Sequence, residues 1–494
     1  MYGEEKSDSL IVAAKQANNP KGAESVERRS GAKGNAEQPH MRRTQSRESM
    51  SQRLSRVREA AKQRKKERFT ALFHLLTAEA LENAFLSLSR KAAAGVDGVR
   101  WKDYAENLKV NIADLHRRLH QGSYRAQPGR RHYIPKADGK QRPLGIASLE
   151  DKIVQYALVK ILNAVYENDF MGFSYGFRPG RSQHNALDAL ATGLGRTNVN
   201  WVLDADISQF FDKVSHEWLI RFIEHRIGDQ RVIRLIRKWL TAGTSEEGEW
   251  RASEEGTPQG AVISPLLANI YLHYVFDLWA HQWRRRHATG NVVMVRYADD
   301  IVIGFDKRID AQCFRIAMQR RLKEFGLTVH PKKTRLMEFG RFAAENRASR
   351  GKGKPETFNF LGFTHISGKD RSGRFMLIRK TRRDRMTATL KAIKDGLRKR
   401  WHYSIPEQGK WLRRVVQGYL NYHSVPGNYP MMRKFRIYVT DLWRRALRRR
   451  SQQDDTTWTK ANRLAAVWLP KVRVLHPWPV ERFTARHPRQ EPGA

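Results

Sequence analysis

Val292–Phe305 reads VVMVRYADDIVIGF. Two apolar runs rich in β-branched residues, Val292–Val295 and Ile301–Ile303, stand on either side of Tyr297–Asp300, a pattern that predicts a tight β-hairpin. Asp299 and Asp300 then fall at its turn. Adjacent carboxylates repel each other, and divalent cations offset that repulsion; Mg²⁺ is held in this way, by a few carboxylates together with substrate phosphates. The simpler reading is a solvated acidic turn, because Asp favours turns for reasons unrelated to metals. A third carboxylate on a neighbouring strand decides between the two.

Val202–Phe211, VLDADISQFF, offers that carboxylate. Trp201, Leu203, Ala205 and Ile207 alternate with Val202, Asp204, Asp206 and Ser208, the period of a strand with one buried face. Both aspartates project to the other face. An acid on one strand and an acid pair on a later hairpin are what a palm-type polymerase needs to gather three carboxylates around two metal ions. One ion activates a primer 3′ hydroxyl and the other stabilises the leaving pyrophosphate.

YADD at Tyr297–Asp300 resembles the catalytic box of reverse transcriptases, and specifically of the bacterial group II intron reverse transcriptase/maturase family. The resemblance extends through GVDG (Gly95–Gly98), IPKADGKQRPLGI (Ile134–Ile146), YGFRPGRS (Tyr175–Ser182) and GTPQGAVISPLLANIYL (Gly256–Leu272). GLTVHPKKT (Gly326–Thr334) and FNFLGF (Phe358–Phe363) follow in the family's order, so that it covers most of the chain from about Lys91 onward. It implies an α+β right-hand polymerase: mixed fingers, a palm with an antiparallel sheet, and a helical thumb followed by the α-helical maturase domain X. The implied divisions are a polar tail over 1–51, a helical extension of the fingers over 52–112, fingers and palm over 113–368, thumb and domain X over 369–450, and a basic extension over 451–494.

Composition agrees with a polyanionic partner. Lys and Arg number 92 against 50 acids, a formal net charge of +42. No apolar run reaches transmembrane length, which favours nucleic acid over membrane. The amino terminus, MYGEEKSDSL, is polar and carries no secretory pattern, so a cytoplasmic, nucleoid-associated setting is expected. Cys313 is the only cysteine, which excludes an intramolecular disulfide and any multi-cysteine zinc site. Residues 1–51 lack apolar periodicity and read as disordered when free.

The resemblance assigns roles residue by residue. Asp206, Asp299 and Asp300 are the catalytic acids, and with Ile207 they are expected to hold two Mg²⁺ ions, for which Mn²⁺ can substitute. Lys136 and Arg142 flank a Gly-containing turn of the fingers and grip the incoming dNTP. Phe210 and Phe211 form a pair from which one ring excludes a 2′ hydroxyl; family spacing favours Phe211, while either ring suits a core. Pro258 and Gln259 belong to a loop touching the nascent base pair, and Tyr297, Gly98 and Gly362 are expected against primer or template. Tyr175–Arg181 places glycines and arginines where backbone could approach phosphate.

Secondary structure elsewhere follows apolar spacing. Leu108, Ile112, Leu115 and Leu119 predict one helix, Leu149–Leu162 a buried one, and Ala261–Phe276 another; Asn346–Lys354 reads as a loop. Met386, Leu390, Ile393, Leu397 and Trp401 form a stripe on a basic helix. In the segment resembling domain X, Arg413, Tyr419, Asn421, Tyr422, Arg444, Arg445 and Arg448 interleave rings with cations as RNA binders do, although tyrosines at helical spacing also serve as core.

The function expected is RNA-directed DNA synthesis by an intron-encoded protein that also binds its intron RNA to assist splicing and supports mobility at a DNA target. Its partners would be group II intron RNA, the DNA target, an RNA template with a DNA primer, and dNTPs, with homodimerisation open. The alternatives are an RNA-binding splicing cofactor with secondary or lost polymerisation, and a retron or defence-type reverse transcriptase, against which domain X counts. An endonuclease domain of the HNH type is not expected: after Phe483 only TARHPRQEPGA remains, with the single histidine His487.

Overall fold

The computed structural model describes residues 49–135, 141–246, 248–450 and 456–486. Among these, eleven strands form three sheets. In chain order they are β1 (Gly129–Pro135), β2 (Gln141–Ile146), β3 (Trp201–Asp206), β4 (Thr244–Glu246), β5 (Glu249–Arg251), β6 (Val292–Tyr297), β7 (Asp300–Phe305), β8 (Arg335–Glu338), β9 (Phe358–Phe360), β10 (Phe363–Lys369) and β11 (Phe375–Thr381). The first sheet runs β2-β1-β4-β5, with β1 parallel to β4. The central sheet runs β6-β7-β3-β8 and is antiparallel throughout. A small third sheet, β11-β10-β9, follows it.

The central hairpin forms where the β-branched runs predict it, with a tighter turn. Tyr297 pairs with Asp300, so only Ala298 and Asp299 make the turn and Asp300 already belongs to β7. The alternation in β3 holds, but both faces of the strand are covered. Leu203, Ala205 and Ile207 enter the main core, while Val202, on the face shared with Asp204 and Asp206, is buried in a second core with Val295, Val302, Met337 and Phe363. The expected single buried face is therefore corrected. The helix Gln183–Arg196, through Leu187, Leu190 and Leu194, is what covers the second.

The main core gathers the helices Leu108–Gln121, Leu149–Tyr166, Gln230–Thr241, Ser264–Leu272 and Arg308–Glu324. Leu149–Tyr166 is buried along almost its whole length, as its apolar spacing predicts. Its buried Asp151 is satisfied by Ser148 Oγ (2.7 Å), Gln127 N (3.1 Å), Trp239 Nε1 (3.3 Å) and the Tyr124 hydroxyl. The helix expected over Ala261–Phe276 is interrupted: a π-helical turn, His273–Asp277, separates Ser264–Leu272 from Leu278–Arg286. Ala343–Ala348 forms a short helix that takes in the first three residues of the loop expected over Asn346–Lys354, and Arg350 after it pairs with Glu338.

The C-terminal helices Arg383–Lys399, Ile405–His423, Tyr429–Arg448 and Trp458–Trp468 share a third core containing Met386, Ile393, Leu412, Phe435, Trp443 and Ala465. Trp401 lies past its helix end and is exposed, so it leaves the expected stripe. Three of the expected divisions fall inside elements. The division after 51 cuts the helix Met50–Gln63, the one after 112 cuts Leu108–Gln121, and the one after 368 cuts β10. Trp458–Trp468, beyond the division after 450, packs into the same core as the helices before it. Among the described residues no helix is long and apolar enough to cross a membrane.

Candidate active site

Asp206 ends β3 directly opposite Asp300, the first residue of β7, and Asp299 precedes it in the turn. Three carboxylates expected from separate motifs therefore meet at one end of the central sheet. Burial pushes Asp300 well above the ordinary carboxylate range, and the charges of Asp299, Asp204 and Asp206 push it further. Asp299 is also raised, by burial and Asp206, against the lowering pull of Arg142 and Lys333. Asp204, two residues back on the same face, is pushed up to about 6, mainly by burial, with Arg335 opposing. Carboxylates that raise one another in this way are an anion cluster in want of a counter-charge.

Part of that counter-charge is a lysine: Lys333 Nζ donates to Asp206 Oδ2 at 3.0 Å. Among the described residues no group of three acidic, histidine or cysteine side chains closes into a ready ligand cage. Mg²⁺ does not require one, since it keeps several waters and takes one or two carboxylates plus substrate phosphates. The donor set thus fits a hard divalent cation. Asp206, Asp299 and Asp300 are the groups that would hold it.

The turn is braced from behind by a residue that the motif reading passed over. Arg296, 0% exposed, donates Nε to Asp277 Oδ1 (2.7 Å) and Nη2 to Asp277 Oδ2 (2.6 Å). It also reaches Asn269 Oδ1 (3.1 Å), Ser174 Oγ (2.7 Å) and the carbonyl of Ala298 (3.0 Å). Ala298 holds a left-handed φ of +55°, uncommon for a residue with a Cβ, and the Arg296 bond to its carbonyl helps to fix that turn. Gly176 is needed on the other side: a Cβ there would come within 2.3 Å of Ala298 N. The available signal was an arginine inside an otherwise apolar strand, VVMVRY, together with an aspartate ending an apolar helix.

Beside the acids, the loop Gly256–Gly260 packs onto the turn Phe210–Asp212. Gly256 N donates to Val214 O and Thr257 N to Phe211 O, each at 2.7 Å. A Cβ on Gly256, whose φ is +86°, would press on Phe211 O at 2.9 Å. Gln259 accepts from Arg142 Nε at 2.9 Å and donates to Asp212 Oδ1 at 2.6 Å, linking β2 to that turn. Pro258 is half-buried, and its carbonyl accepts from Ser264 Oγ at 2.8 Å. Phe210 is 2% exposed within the main core, whereas Phe211 is half-buried and sits edge-on to Phe177. Ile207 is buried and bridges to Val329. Lys136 lies outside the described residues.

A family profile described as reverse transcriptase (RNA-dependent DNA polymerase) matches residues 134–365. That span of the chain is similar to a reverse transcriptase domain. Protein YkfC of Escherichia coli is 44% identical over 206 residues, which is 41% of this chain and 54% of that protein. The group II intron-encoded protein LtrA of Lactococcus lactis is 38% identical over 223 residues, 44% of this chain and 37% of the relative. A putative COX1/OXI3 intron 1 protein of Saccharomyces cerevisiae matches over 393 residues at 26% identity, 66% of this chain and 46% of the relative. The chain therefore spans between 37% and 54% of the length of these three relatives. These matches bear out the resemblance to the group II intron reverse transcriptase/maturase family.

The matched span contains all three acids, Arg142, both phenylalanines, Gln259 and Gly362. Tyr297 stands in register with Asp300, but its ring is buried in the second core near Phe177. Gly362 occupies a two-residue turn with Leu361, both at positive φ, and a Cβ on it would meet Tyr422 Cε1 at 3.3 Å. Gly98 lies outside the matched span in an exposed turn at φ +70°. Within Tyr175–Arg181, Arg178 donates to Glu167 and the carbonyls of Met171 and Ser174, and Arg181 to the carbonyls of Gly172 and Ser174.

Several expected RNA contacts have internal work. Tyr419 is 8% exposed and stacks on Phe435 at 3.6 Å, so as folded it is core. Tyr422 donates its hydroxyl to Leu361 O at 2.9 Å, bracing the Gly362 turn. Arg444, with its side chain 16% exposed, pairs with Asp441 and lies over the Trp458 ring. Arg413 is exposed, yet donates to the carbonyls of Val467 and Trp468 at the end of a neighbouring helix. Asn421 is exposed and accepts from Gln417, Arg445 pairs with Asp441 while 66% exposed, and Arg448 is exposed. Arg445 and Arg448 are the cations best presented to an outside anion.

Proposed function

We propose that this protein is an RNA-directed DNA polymerase encoded by a group II intron, which also binds the intron RNA to assist splicing and reverse-transcribes it at a DNA target. The observation carrying the reading is the juxtaposition of Asp206 with Asp300, next to Asp299, at one end of an antiparallel sheet. In this reading the central sheet is the palm, the β1–β2 hairpin belongs to the fingers, and the helices after Arg383 form the thumb and domain X. Bound divalent ions, Mg²⁺ in the cell, would supply Lewis acidity to the primer 3′ hydroxyl and the leaving pyrophosphate. Asp206, Asp299 and Asp300 would hold them, with the Ile207 carbonyl as a further oxygen.

The remaining residues bind and orient. Arg142, together with Lys136, receives the triphosphate of an incoming dNTP as a charge-assisted partner. Gln259 meets the nascent base pair from the loop that Pro258 and Gly260 shape. Phe211 is the ring set beneath the sugar, because Phe210 is committed to the core and Phe211 retains a free side. The turn at Gly362, braced by Tyr422, supports the primer end. The basic helical surface carries intron RNA, and these partners place the protein in the cytoplasm at the nucleoid.

The test pairs primer extension on an RNA template with filter binding of the RNA. Asp206→Ala and Asp299→Ala each abolish Mg²⁺-dependent deoxynucleotide incorporation and leave RNA affinity within about twofold. Substantial residual synthesis in either variant contradicts the assignment.

A further inference from the structure

The amide of Gln259 lies between a group that can only accept and a group that can only donate. Its Nε2 donates to Asp212 Oδ1 at 2.6 Å, and its Oε1 accepts from Arg142 Nε at 2.9 Å. A carboxylate offers lone pairs alone and a guanidinium offers N–H groups alone. A flipped amide would set oxygen against oxygen on one side and N–H against N–H on the other. The network therefore permits one orientation, which an amide by itself does not possess.

Asp212 is placed for this task and for little else. It ends the turn that begins with Phe210 and Phe211, and it is exposed, so its carboxylate holds no buried element together. The loop carrying Gln259 is pinned through its backbone instead: Gly145 N donates to Gln259 O at 2.6 Å and Thr257 N to Phe211 O at 2.7 Å. Gly260, at φ +104°, lets the loop approach β2 closely, since a Cβ there would lie 3.1 Å from Gly145 O. Removing the Asp212 side chain leaves these bonds intact. What it removes is the acceptor that orients the amide facing Arg142.

We propose that Asp212 is a positioning residue for the incoming nucleotide, acting through Gln259: it fixes the amide, and through it Arg142, in the arrangement that receives the dNTP. This rests on Arg142 and Gln259 being nucleotide-binding residues. In this arrangement Asp212 acts on Gln259 and on neither nucleotide nor metal, so its loss loosens the pocket and spares the chemical step. The signature is a rise in KM for dNTP with kcat little changed.

The experiment is single-nucleotide incorporation on a pre-annealed RNA template and DNA primer with the full chain. Asp212→Ala raises KM for dNTP about tenfold with kcat within about twofold, the scale of one lost charge-assisted hydrogen bond. Asp212→Asn recovers part of the loss, because its oxygen accepts from Gln259 although its amide no longer rejects the flipped form. Asp212→Ala combined with Gln259→Ala is no worse than Gln259→Ala alone, as expected when one residue works only through the other. A fall in kcat at unchanged KM, the mark of a lost metal ligand, overturns the proposal, and so does additivity in the double variant. Stabilisation of a complex on chain-terminated primer by the next dNTP is a second readout. It weakens in Asp212→Ala and returns in part in Asp212→Asn; equal stabilisation in wild type and Asp212→Ala also overturns it. Failure of the wild type to incorporate any nucleotide strikes the polymerase reading instead.

Discussion

At the scale of single residues, the two phenylalanines separate by burial. Phe210 sits in the main core, so Phe210→Val costs stability, roughly 1–3 kcal/mol by urea unfolding, and leaves sugar choice alone. Phe211 is half-buried against Phe177, and Phe211→Val relaxes discrimination against ribonucleotides, read as the ratio of rNTP to dNTP incorporation. If neither variant changes that ratio, the gate is elsewhere. Asp204 gives a prediction in pH. Its carboxyl titrates near 6 in the fold against 3.8 for the ordinary side chain, so the folded chain binds that proton more tightly than the unfolded one. Its contribution to stability therefore grows as pH falls through the folded value and is complete below the unfolded value. Unfolding midpoints of metal-free protein across that window should rise towards acid by less in Asp204→Asn than in the wild type. An identical slope in both would remove Asp204 from the acid cluster.

At the scale of elements, the hairpin and β3 were legible because β-branched runs and period-two alternation are local, and helices such as Leu149–Tyr166 because burial imposes spacing. What the sequence could not carry was pairing at a distance. Nothing local in VVMVRY states that Arg296 will be buried against Asp277, or that Asn269 and Ser174 will share it. The same holds for Tyr419 and Tyr422, whose helical spacing suits core and RNA contact equally; the Phe435 ring and the Leu361 carbonyl decide between them. Arg178 misled in the opposite sense, as a cation that is spent inside its own loop. The brace behind the acids makes a quantitative prediction. Arg296→Met leaves Asp277 as an uncompensated buried charge and costs about 3–5 kcal/mol, measured by denaturant unfolding. Adding Asp277→Leu to Arg296→Met recovers much of that loss, because the stranded charge goes with it. No recovery in the double variant would mean that the pair is not the unit holding the turn.

At the scale of the whole molecule, the proposed function and a net charge of +42 together predict a strongly salt-dependent nucleic-acid affinity. The charge is not evenly available. Arg448 and Arg445 are exposed, the latter while paired with Asp441, whereas Arg444 is largely buried between Asp441 and Trp458. Converting Arg445 and Arg448 to Gln should weaken intron RNA binding and lower the slope of log affinity against log salt by about one per lost phosphate contact. Arg444→Gln should instead lower thermal stability with a smaller change in slope. Equal slopes in all variants would take the RNA surface away from these helices.

In the proposed function the carboxylates at the end of the central sheet copy RNA into DNA. The most direct measurement extends an end-labelled DNA primer on an RNA template with purified full-length protein, dNTPs and Mg²⁺, and then treats the product with alkali. The predicted result is an alkali-resistant ladder that vanishes with EDTA, with rNTPs in place of dNTPs, or with Asp299→Ala. Tight binding of the primer–template without any extension, or a product built from ribonucleotides, would contradict it.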